Sequence, residues 1–240
     1  DRSTFGRHPW HPSERRRDNP LAADMVEGME RVIHGRRIWA VVTLSDHRGV
    51  QWVRFDSVRP ACEAAFVEAD RRNGFYLAPT RHLIVSPGGL PNDVDLYIAQ
   101  RALELTQAAV CDGGEILFVS ACPEGVGEAH TRAEFYDRLT RPLEEVLDFD
   151  PESYRLFSHK PVKFARMIRR LHRLWVRSEI PAALLSAAHL DPAPDAQAVV
   201  DHWLAEEPDA RMHVIDGANK VAVYAAERTA DGVDAFSSLL

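Results

Sequence analysis

The chain has little cysteine and no long uninterrupted apolar segment. Its 240 residues include three cysteines, Cys62, Cys111 and Cys122, which are odd in number and far apart. This spacing excludes a disulfide framework and offers no thiolate metal site. No apolar run approaches the roughly 20 residues of a transmembrane helix, and no signal peptide is recognisable. We therefore expect a cytoplasmic protein without a membrane partner.

Basic charge is also scarce, with 29 Lys and Arg against 36 Asp and Glu and a formal net charge of -7. A nucleic-acid-binding protein would present a basic face, so no nucleic-acid partner is expected. The compact basic run at Arg15, Arg16 and Arg17 is explained by a solvated loop. What the sequence does contain is 45% hydrophobic residues, which can form a sizeable core in one large or two small domains.

Composition and periodicity divide the chain into three parts. Residues 1–20 are rich in Pro, Arg and His and predict an extended arm. Residues 21–75 predict a helix, a β-hairpin that turns at residues 45–49, and a second helix that Asn73-Gly74 ends. Residues 76–240 predict a separate α/β domain, because short apolar runs alternate there with helical patterns.

The two apolar runs "HLIVS" and "EILFVS" are typical of strands that are buried on both faces. A helix from about Asp93 to Val110, closed by Asp112-Gly113-Gly114, is predicted between them, and this order implies parallel strands. Later patterns predict helices near 131–147, 160–171, 181–189 and 194–206, strands in "RLWVRS" and "RMHVID", and an edge strand in "KVAVYAAE". The predicted fold class is an open, mostly parallel α/β sheet with flanking helices, preceded by a small α+β segment.

Ligands of open α/β sheets bind outside the carboxyl ends of the strands. Two glycine-bearing loops leave such ends, and a third loop follows at residues 179–181. The candidate crevice residues are Ser86, Gly88, Gly89, Glu124, Gly125 and Gly127. Neither a dinucleotide fingerprint nor a P-loop is present. The glycines could therefore serve only to turn the chain, or their amide groups could hold an anion.

Two residue pairs are candidate substrate contacts. Tyr97 and Arg101 are one helical turn apart, so they share a face and could hold a carboxylate, although a solvated arginine is the alternative. His159 and Lys160 begin a basic amphipathic helix, which is either a crossover helix of the sheet or a surface for a membrane or partner. His159 could line the crevice in the first case.

One short-range pair of histidines could bind a metal. His8 and His11 lie three residues apart in the arm, and neutral imidazole suits nickel, zinc and copper. An exposed arm without a ligand is the alternative interpretation.

The stretch "SPGGLPNDVDLYIAQRALELTQAAVCDGGEILFVSACPEGVGE" resembles the C-terminal domain of the nickel-pincer nucleotide dependent lactate racemase family. The shared motifs are an SPGG-x-P-x-D-x-DLY run, a helix that ends in GG, and a C-x-EG-x-G turn. Flanking similarity includes "DNPLAADMVEGMERV", the hairpin sequence "IWAVVTLSDHRGVQWVRFD" and "SHKPVKFARMI". Together these motifs cover most of residues 19 to about 180.

The resemblance implies a racemase or epimerase of 2-hydroxy acids. In such enzymes a nickel-pincer nucleotide carries the hydride, while two histidines exchange the hydroxyl proton. Those histidines and the cofactor-bearing lysine lie N-terminal to the matched region. We therefore expect no catalytic residue in this chain, no racemisation by it alone, and its own N-terminal domain as a partner. The family's nickel-binding histidine falls near His8, with His11 as the alternate.

Some positions depart from the family pattern. Ile98 and Arg101 stand where the family carries Gln and Lys in its YQ-x-x-K motif. Arg101 keeps the charge and can grip a carboxylate through two hydrogen bonds, whereas Ile98 cannot replace an amide. The resemblance thus implies a small-molecule 2-hydroxy acid without singling out lactate. The rival hypothesis is a stand-alone α/β ligand-binding module or a degenerate homologue without catalysis.

Overall fold

The computed structural model describes residues 20–46, 48–150 and 154–225, with side chains from residue 23 onward. Its first part is a helix, a hairpin and a second helix, as the sequence predicts. These elements are α1 (Pro20–Ile33), β1 (Trp39–Asp46), β2 (Gly49–Ser57) and α2 (Val58–Asn73). Strands β1 and β2 are antiparallel, with Trp39 opposite Ser57. Gly49 has a φ of +108°, a conformation that side chains other than glycine rarely adopt.

A five-stranded parallel sheet forms the centre of the second part. Its strands are β4 (Thr80–Val85), β5 (Val110–Val119), β6 (Arg173–Arg177), β7 (Asp191–Pro192) and β8 (Met212–Ile215). Their order across the sheet is β7-β6-β5-β4-β8, and every neighbouring pair is parallel. This arrangement confirms the predicted α/β fold class, because each parallel pair needs a crossover connection that covers a face.

Helices cover both faces of the sheet. In chain order they are α3 (Leu96–Thr106), α4 (Ala129–Glu134), α5 (Tyr136–Leu139), α6 (Leu143–Leu147), α7 (His159–Arg170), α8 (Ala182–Ala187) and α9 (Ala196–Glu206). Alternate residues of β5 divide between the two faces. Ile116 and Phe118 join the larger core with α3 and α7, whereas Leu117 joins a smaller core with Trp203 of α9. None of the helices described in residues 20–225 is long and apolar enough to cross a bilayer.

The predicted helix over residues 93–110 is too long at both ends. Asp95 caps α3 through a 2.7 Å hydrogen bond from the Ile98 amide, and α3 ends at Thr106 before a short 3-10 turn. Gly113 and Gly114 lie in β5 and do not close the helix. A side chain at Gly114 would place its Cβ 2.6 Å from the Arg81 carbonyl oxygen, so glycine permits the close contact with the neighbouring strand.

Two other predictions are wrong in detail. The helix expected over 131–147 is three short helices, which break at Phe135 and again at Pro142. Pro142 explains the second break, because it lacks the amide that a continuous helix would need. The C-terminal strand β9 (Ala222–Ala225) does not join the edge of the main sheet. It pairs with β3 (Gly74–Leu77), which was not predicted, and Tyr76 stacks on Tyr224 with 5.1 Å between ring centroids.

A buried polar cluster connects α9 to the sheet. The Glu115 carboxylate accepts hydrogen bonds of 2.7 Å from the indole N–H groups of Trp175 and Trp203. Burial raises the pKa of Glu115, but the indole bonds and the nearby His172 and Arg173 together outweigh it and hold the pKa below its usual value. His82 stacks on Trp203 at 4.6 Å, and burial lowers the pKa of its imidazole. The cluster therefore favours an ionised glutamate beside a neutral histidine.

Candidate functional site

The loops after β4 and β5 meet at the carboxyl edge of the sheet, where the sequence predicts a crevice. Three backbone hydrogen bonds of 2.9 Å join them, running from Cys122 to Asp93, from Glu124 to Val94 and from Leu96 to Gly125. The Ala121 amide also donates to the Asp93 carboxylate at 3.2 Å. The two predicted crevice loops thus form one connected surface in front of α3.

The loop after β4 also contacts the loop after β8. The Ser86 amide donates to the Ile215 carbonyl, and the Ala218 amide donates back to the Ser86 carbonyl, each at 2.9 Å. Gly88 has a φ of +96°, and a Cβ there would lie 2.8 Å from the Cα of Gly217. Close backbone packing therefore requires glycine at this position, whether or not its amide also faces a ligand.

The other crevice glycines have left-handed backbone conformations. Gly89 and Gly125 have φ values of +74° and +78°, and a Cβ at either would meet nothing within 4 Å. At Gly127, where φ is +122°, a Cβ would lie 3.3 Å from the Cβ of Tyr97. The turn at residues 122–127 therefore packs directly against the first turn of α3.

A cavity of about 360 Å³ lies at the carboxyl ends of β6 and β7. Its lining includes Ile180 from the third predicted loop, together with Ser178, Pro192 and Pro194. The Glu179 amide in that loop donates to the Ala121 carbonyl at 2.8 Å. This bond connects the cavity to the same edge of the sheet as the crevice loops.

Lys160 and Tyr97 form a contact between the starts of α7 and α3. The Lys160 ammonium lies 3.7 Å from the centroid of the Tyr97 ring and donates to the Tyr97 carbonyl at 3.2 Å. Phe135 and Phe157 pack edge-on against the same ring at 5.5 and 5.3 Å. Burial raises the pKa of Tyr97 to about 12, so its phenol stays protonated and can only donate or accept a hydrogen bond.

The four candidate substrate residues have different environments. Arg101 is exposed on α3, and its side chain makes no hydrogen bond or ion pair with any residue that the structure describes. Ile98, one turn earlier, is 38% exposed. His159 is half-buried, with its Nδ1 3.4 Å from the Tyr154 hydroxyl. Arg101 is thus the cation available to a ligand, whereas Lys160 is already engaged with Tyr97.

Asp93 is a site feature that the sequence interpretation missed. It is 6% exposed, and its Oδ1 has no hydrogen-bond partner, while Oδ2 accepts from Ala121. A buried carboxylate oxygen without a partner costs free energy, so such groups concentrate where a ligand or water completes the site. The signal was present in the spacing of Asp93 and Asp95 directly before α3.

The donor groups described here do not fit a bound nickel ion. No group of three or more His, Cys, Asp or Glu side chains within residues 20–46, 48–150 and 154–225 is arranged to hold a metal. Burial raises the pKa of the Cys122 thiol to about 11, so this buried cysteine is not a thiolate. His8 and His11, the predicted metal ligands, lie outside the described residues.

The buried ammonium of Lys160 predicts a pH-dependent stability. Burial lowers its pKa to about 8, although the nearby Glu104 carboxylate opposes this change. Between pH 8 and 10 the unfolded chain binds more protons at this lysine than the folded chain, so the contribution of Lys160 to stability becomes more favourable as pH rises. Lys160→Met should therefore reduce the rise in the free energy of unfolding over this interval, measured by urea denaturation. Lys220→Met, at an exposed lysine, is the control and should keep the wild-type slope. An unchanged slope in Lys160→Met would contradict the assignment.

Comparisons with known proteins agree with this architecture. The family model described as the lactate racemase C-terminal domain matches residues 78–223. The lactate racemase apoprotein from Thermoanaerobacterium thermosaccharolyticum superposes with a TM-score of 0.73 at 17% identity, covering 87% of this chain and 50% of that one. A Thermotoga maritima protein solved by a structural genomics consortium gives a TM-score of 0.55 at 15% identity, covering 87% and 54%. No curated protein sequence matches.

These matches differ in what they establish. At 15–17% identity the two solved structures show the fold alone, and this chain spans about half of their length. The family model is more specific, because it covers more than half of the 240 residues and includes all of the crevice loops. The chain belongs to the lactate racemase C-terminal domain family.

Proposed function

We propose that this chain is the C-terminal part of a nickel-pincer nucleotide dependent racemase or epimerase of 2-hydroxy acids that acts in the cytoplasm. The family match supports the reaction class. The structural observation that carries the proposal is Arg101, an exposed cation without a partner among the described residues, on the helix that leaves the crevice. A planar guanidinium can hold the carboxylate of a 2-hydroxy acid through two hydrogen bonds.

The proposal includes a division of the chain into three parts. Residues 1–20 are an arm, residues 21–75 are the end of an N-terminal domain, and residues 76–240 are the C-terminal domain. Support for the last boundary comes from the family match, which begins at residue 78. In this proposal the N-terminal domain carries the nickel-pincer nucleotide, with His8 or His11 as a ligand, because the described donors do not fit the metal.

In this proposal the residues of the crevice bind and position the substrate. Arg101 binds and orients the substrate carboxylate. Lys160 holds Tyr97 and thereby the first turn of α3, and His159 lines the crevice beside them. The loops at residues 86–89 and 124–127 close the site and exclude water, which strengthens the charge interaction at Arg101.

Arg101→Ala should lower kcat/KM for racemisation by about 10- to 100-fold, since a charge-assisted hydrogen bond is worth about 1.5–3 kcal/mol. The assay follows conversion between the two enantiomers of 2-hydroxy acids by the complete gene product, with nickel and the cofactor supplied. Arg101→Lys should retain part of the activity, because it keeps the charge but loses the two-bond geometry.

Arg211→Ala, at another exposed arginine, is the matched control and should leave kcat/KM unchanged. Binding of a 2-hydroxy acid without racemisation by the complete gene product would reject the enzyme. It would favour the stand-alone ligand-binding module instead. An Arg101→Ala variant with wild-type kcat/KM would remove Arg101 from the proposed site.

A further inference from the structure

The hairpin β1–β2 carries an apolar face that faces solvent. We call it the outer face, formed by the side chains at positions 39, 41, 43 and 45 of β1 and 50, 53, 55 and 57 of β2, which the strand register places on one side. Five of these side chains are large, apolar and 59–65% exposed, namely Trp39, Val41, Val50, Val53 and Phe55. Trp39 and Phe55 stack with 5.3 Å between their ring centroids.

The opposite face of the hairpin packs on α2. Along β1 exposed and half-buried residues alternate without exception, and Ala40, Val42, Leu44 and Asp46 form the half-buried set. A surface strand normally pairs one apolar face with one polar face. The outer face would accordingly be polar, yet five of its side chains are large and apolar. Monomeric proteins rarely expose contiguous apolar patches of this kind. The outer face therefore has the composition of a surface that is buried in a contact with other protein.

Positive charge borders this apolar face. Arg36 and Arg37 line a cavity of about 260 Å³ together with Trp39. Both arginines are exposed, and neither side chain has a hydrogen bond or ion pair with another residue in the described part of the chain. By contrast, Arg48 and Arg54 of the hairpin pair with Asp46 and Asp56. A partner of the outer face would therefore need carboxylates opposite Arg36 and Arg37.

We propose that the outer face is the docking surface for the rest of the N-terminal domain, which lies outside these 240 residues. Its contact surface is apolar at the centre and acidic next to Arg36 and Arg37. The length of the relative supports this occupant, because half of the lactate racemase apoprotein has no counterpart in this chain. The inference rests on the proposed function, in which residues 21–75 are the end of an N-terminal domain, and assigns the surface that the rest of that domain covers.

A second copy of this chain fits the outer face less well. The eight outer positions are Trp, Val, Thr and Ser on β1 and Val, Val, Phe and Ser on β2, so none carries a carboxylate. Two copies that met through this face would bury their aromatic rings but would leave Arg36 and Arg37 without acidic partners. Charge complementarity thus favours a different protein surface.

Hydroxyl-radical footprinting with mass spectrometry tests the proposal. Labelling of Trp39 and Phe55 is measured in the complete gene product and in the 240-residue chain, each at several protein concentrations. Leu156, which is 65% exposed, serves as the reference in both samples. Relative to Leu156 in the same sample, we expect Trp39 and Phe55 to be labelled at least about tenfold less in the complete gene product than in the 240-residue chain.

Val53→Asp provides a second, independent measurement. In the 240-residue chain the substitution lies on an exposed surface, so the midpoint of thermal unfolding should fall only by the small cost of aspartate in a β-strand. In the complete gene product it should restore labelling of Trp39 and make the hairpin susceptible to limited proteolysis. Gln51→Asp, at an exposed residue of the same strand, is the matched control and should leave labelling unchanged.

Three results would overturn the proposal. They are full labelling in the complete gene product, protection that grows with protein concentration, and protection already present in the 240-residue chain at low concentration. The second result would assign the face to another copy, and the third to the chain's own residues. Racemase activity does not enter these measurements, so a failure of the proposed enzyme activity is distinguishable from a failure of the docking surface.

Discussion

Trp203→Ala is expected to lower the free energy of unfolding by about 3–5 kcal/mol, the range for a large buried aromatic residue. Trp203 packs between α9 and the sheet and is the largest fully buried side chain among the described residues. Its removal leaves a cavity and takes away one of the two indole donors to Glu115. Urea denaturation followed by circular dichroism measures the loss.

Two further variants separate these causes. Trp203→Phe keeps an aromatic ring beside His82 but removes the donor to Glu115, and it should cost about 1–3 kcal/mol. Leu204→Ala changes the neighbouring residue of α9, which is 38% exposed, and should cost clearly less than Trp203→Ala. A loss below about 1 kcal/mol for Trp203→Ala would show that α9 does not depend on this cluster.

Gly88→Ala is expected to destabilise the protein by about 2–4 kcal/mol, as the combined effect of backbone strain and a steric clash. The left-handed φ of +96° disfavours alanine, and the new Cβ would lie 2.8 Å from the Gly217 backbone. Relief of the clash must separate the loop after β4 from the loop after β8. The midpoint of urea unfolding reports the loss of stability.

Gly89→Ala is the matched control for the steric part of this effect. Its φ of +74° is also left-handed, but a Cβ there meets nothing within 4 Å. Gly89→Ala should therefore lower the free energy of unfolding only by the backbone strain, which is about 1–2 kcal/mol. Equal losses in the two variants would show that contact with Gly217 adds nothing.

The sequence predicts the central strands of the fold because their burial leaves a simple pattern. Residues 83–85 and 116–119 are continuous apolar runs, and both faces of β4 and β5 are covered by helices. The hairpin is predicted for a related reason, since two β-rich segments flank a turn that ends in Gly49. Local signals of this kind depend on neighbouring residues alone.

Other elements depend on contacts between residues far apart in the sequence, so local sequence patterns do not predict them. Strand β3 has four residues, and its partner β9 is far away in the sequence, so neither segment is recognisable as half of a pair. The Glu115 cluster is similar, because a glutamate in an apolar run gives no sign that Trp175 and Trp203 will both donate to it.

The candidate site shows the same limit at the level of single side chains. Helical spacing puts Tyr97 and Arg101 on one face, but only the folded chain brings Lys160 over the Tyr97 ring. The sequence thus identifies candidate residues around the crevice. Only the structure shows that Lys160, which lies on another helix, is engaged in packing, whereas Arg101 is exposed.

During protein synthesis the sheet can be completed only after strand β8 has been made. It is the neighbour of β4 on one side, yet the ribosome must add residues 86–211 before β8 begins. At typical elongation rates of about 5–20 residues per second, this takes roughly 6–25 s. Throughout that interval the apolar strand β4 has one edge without its partner. The nascent chain is therefore most exposed to mispairing, and most dependent on chaperones, before residues 212–215 emerge.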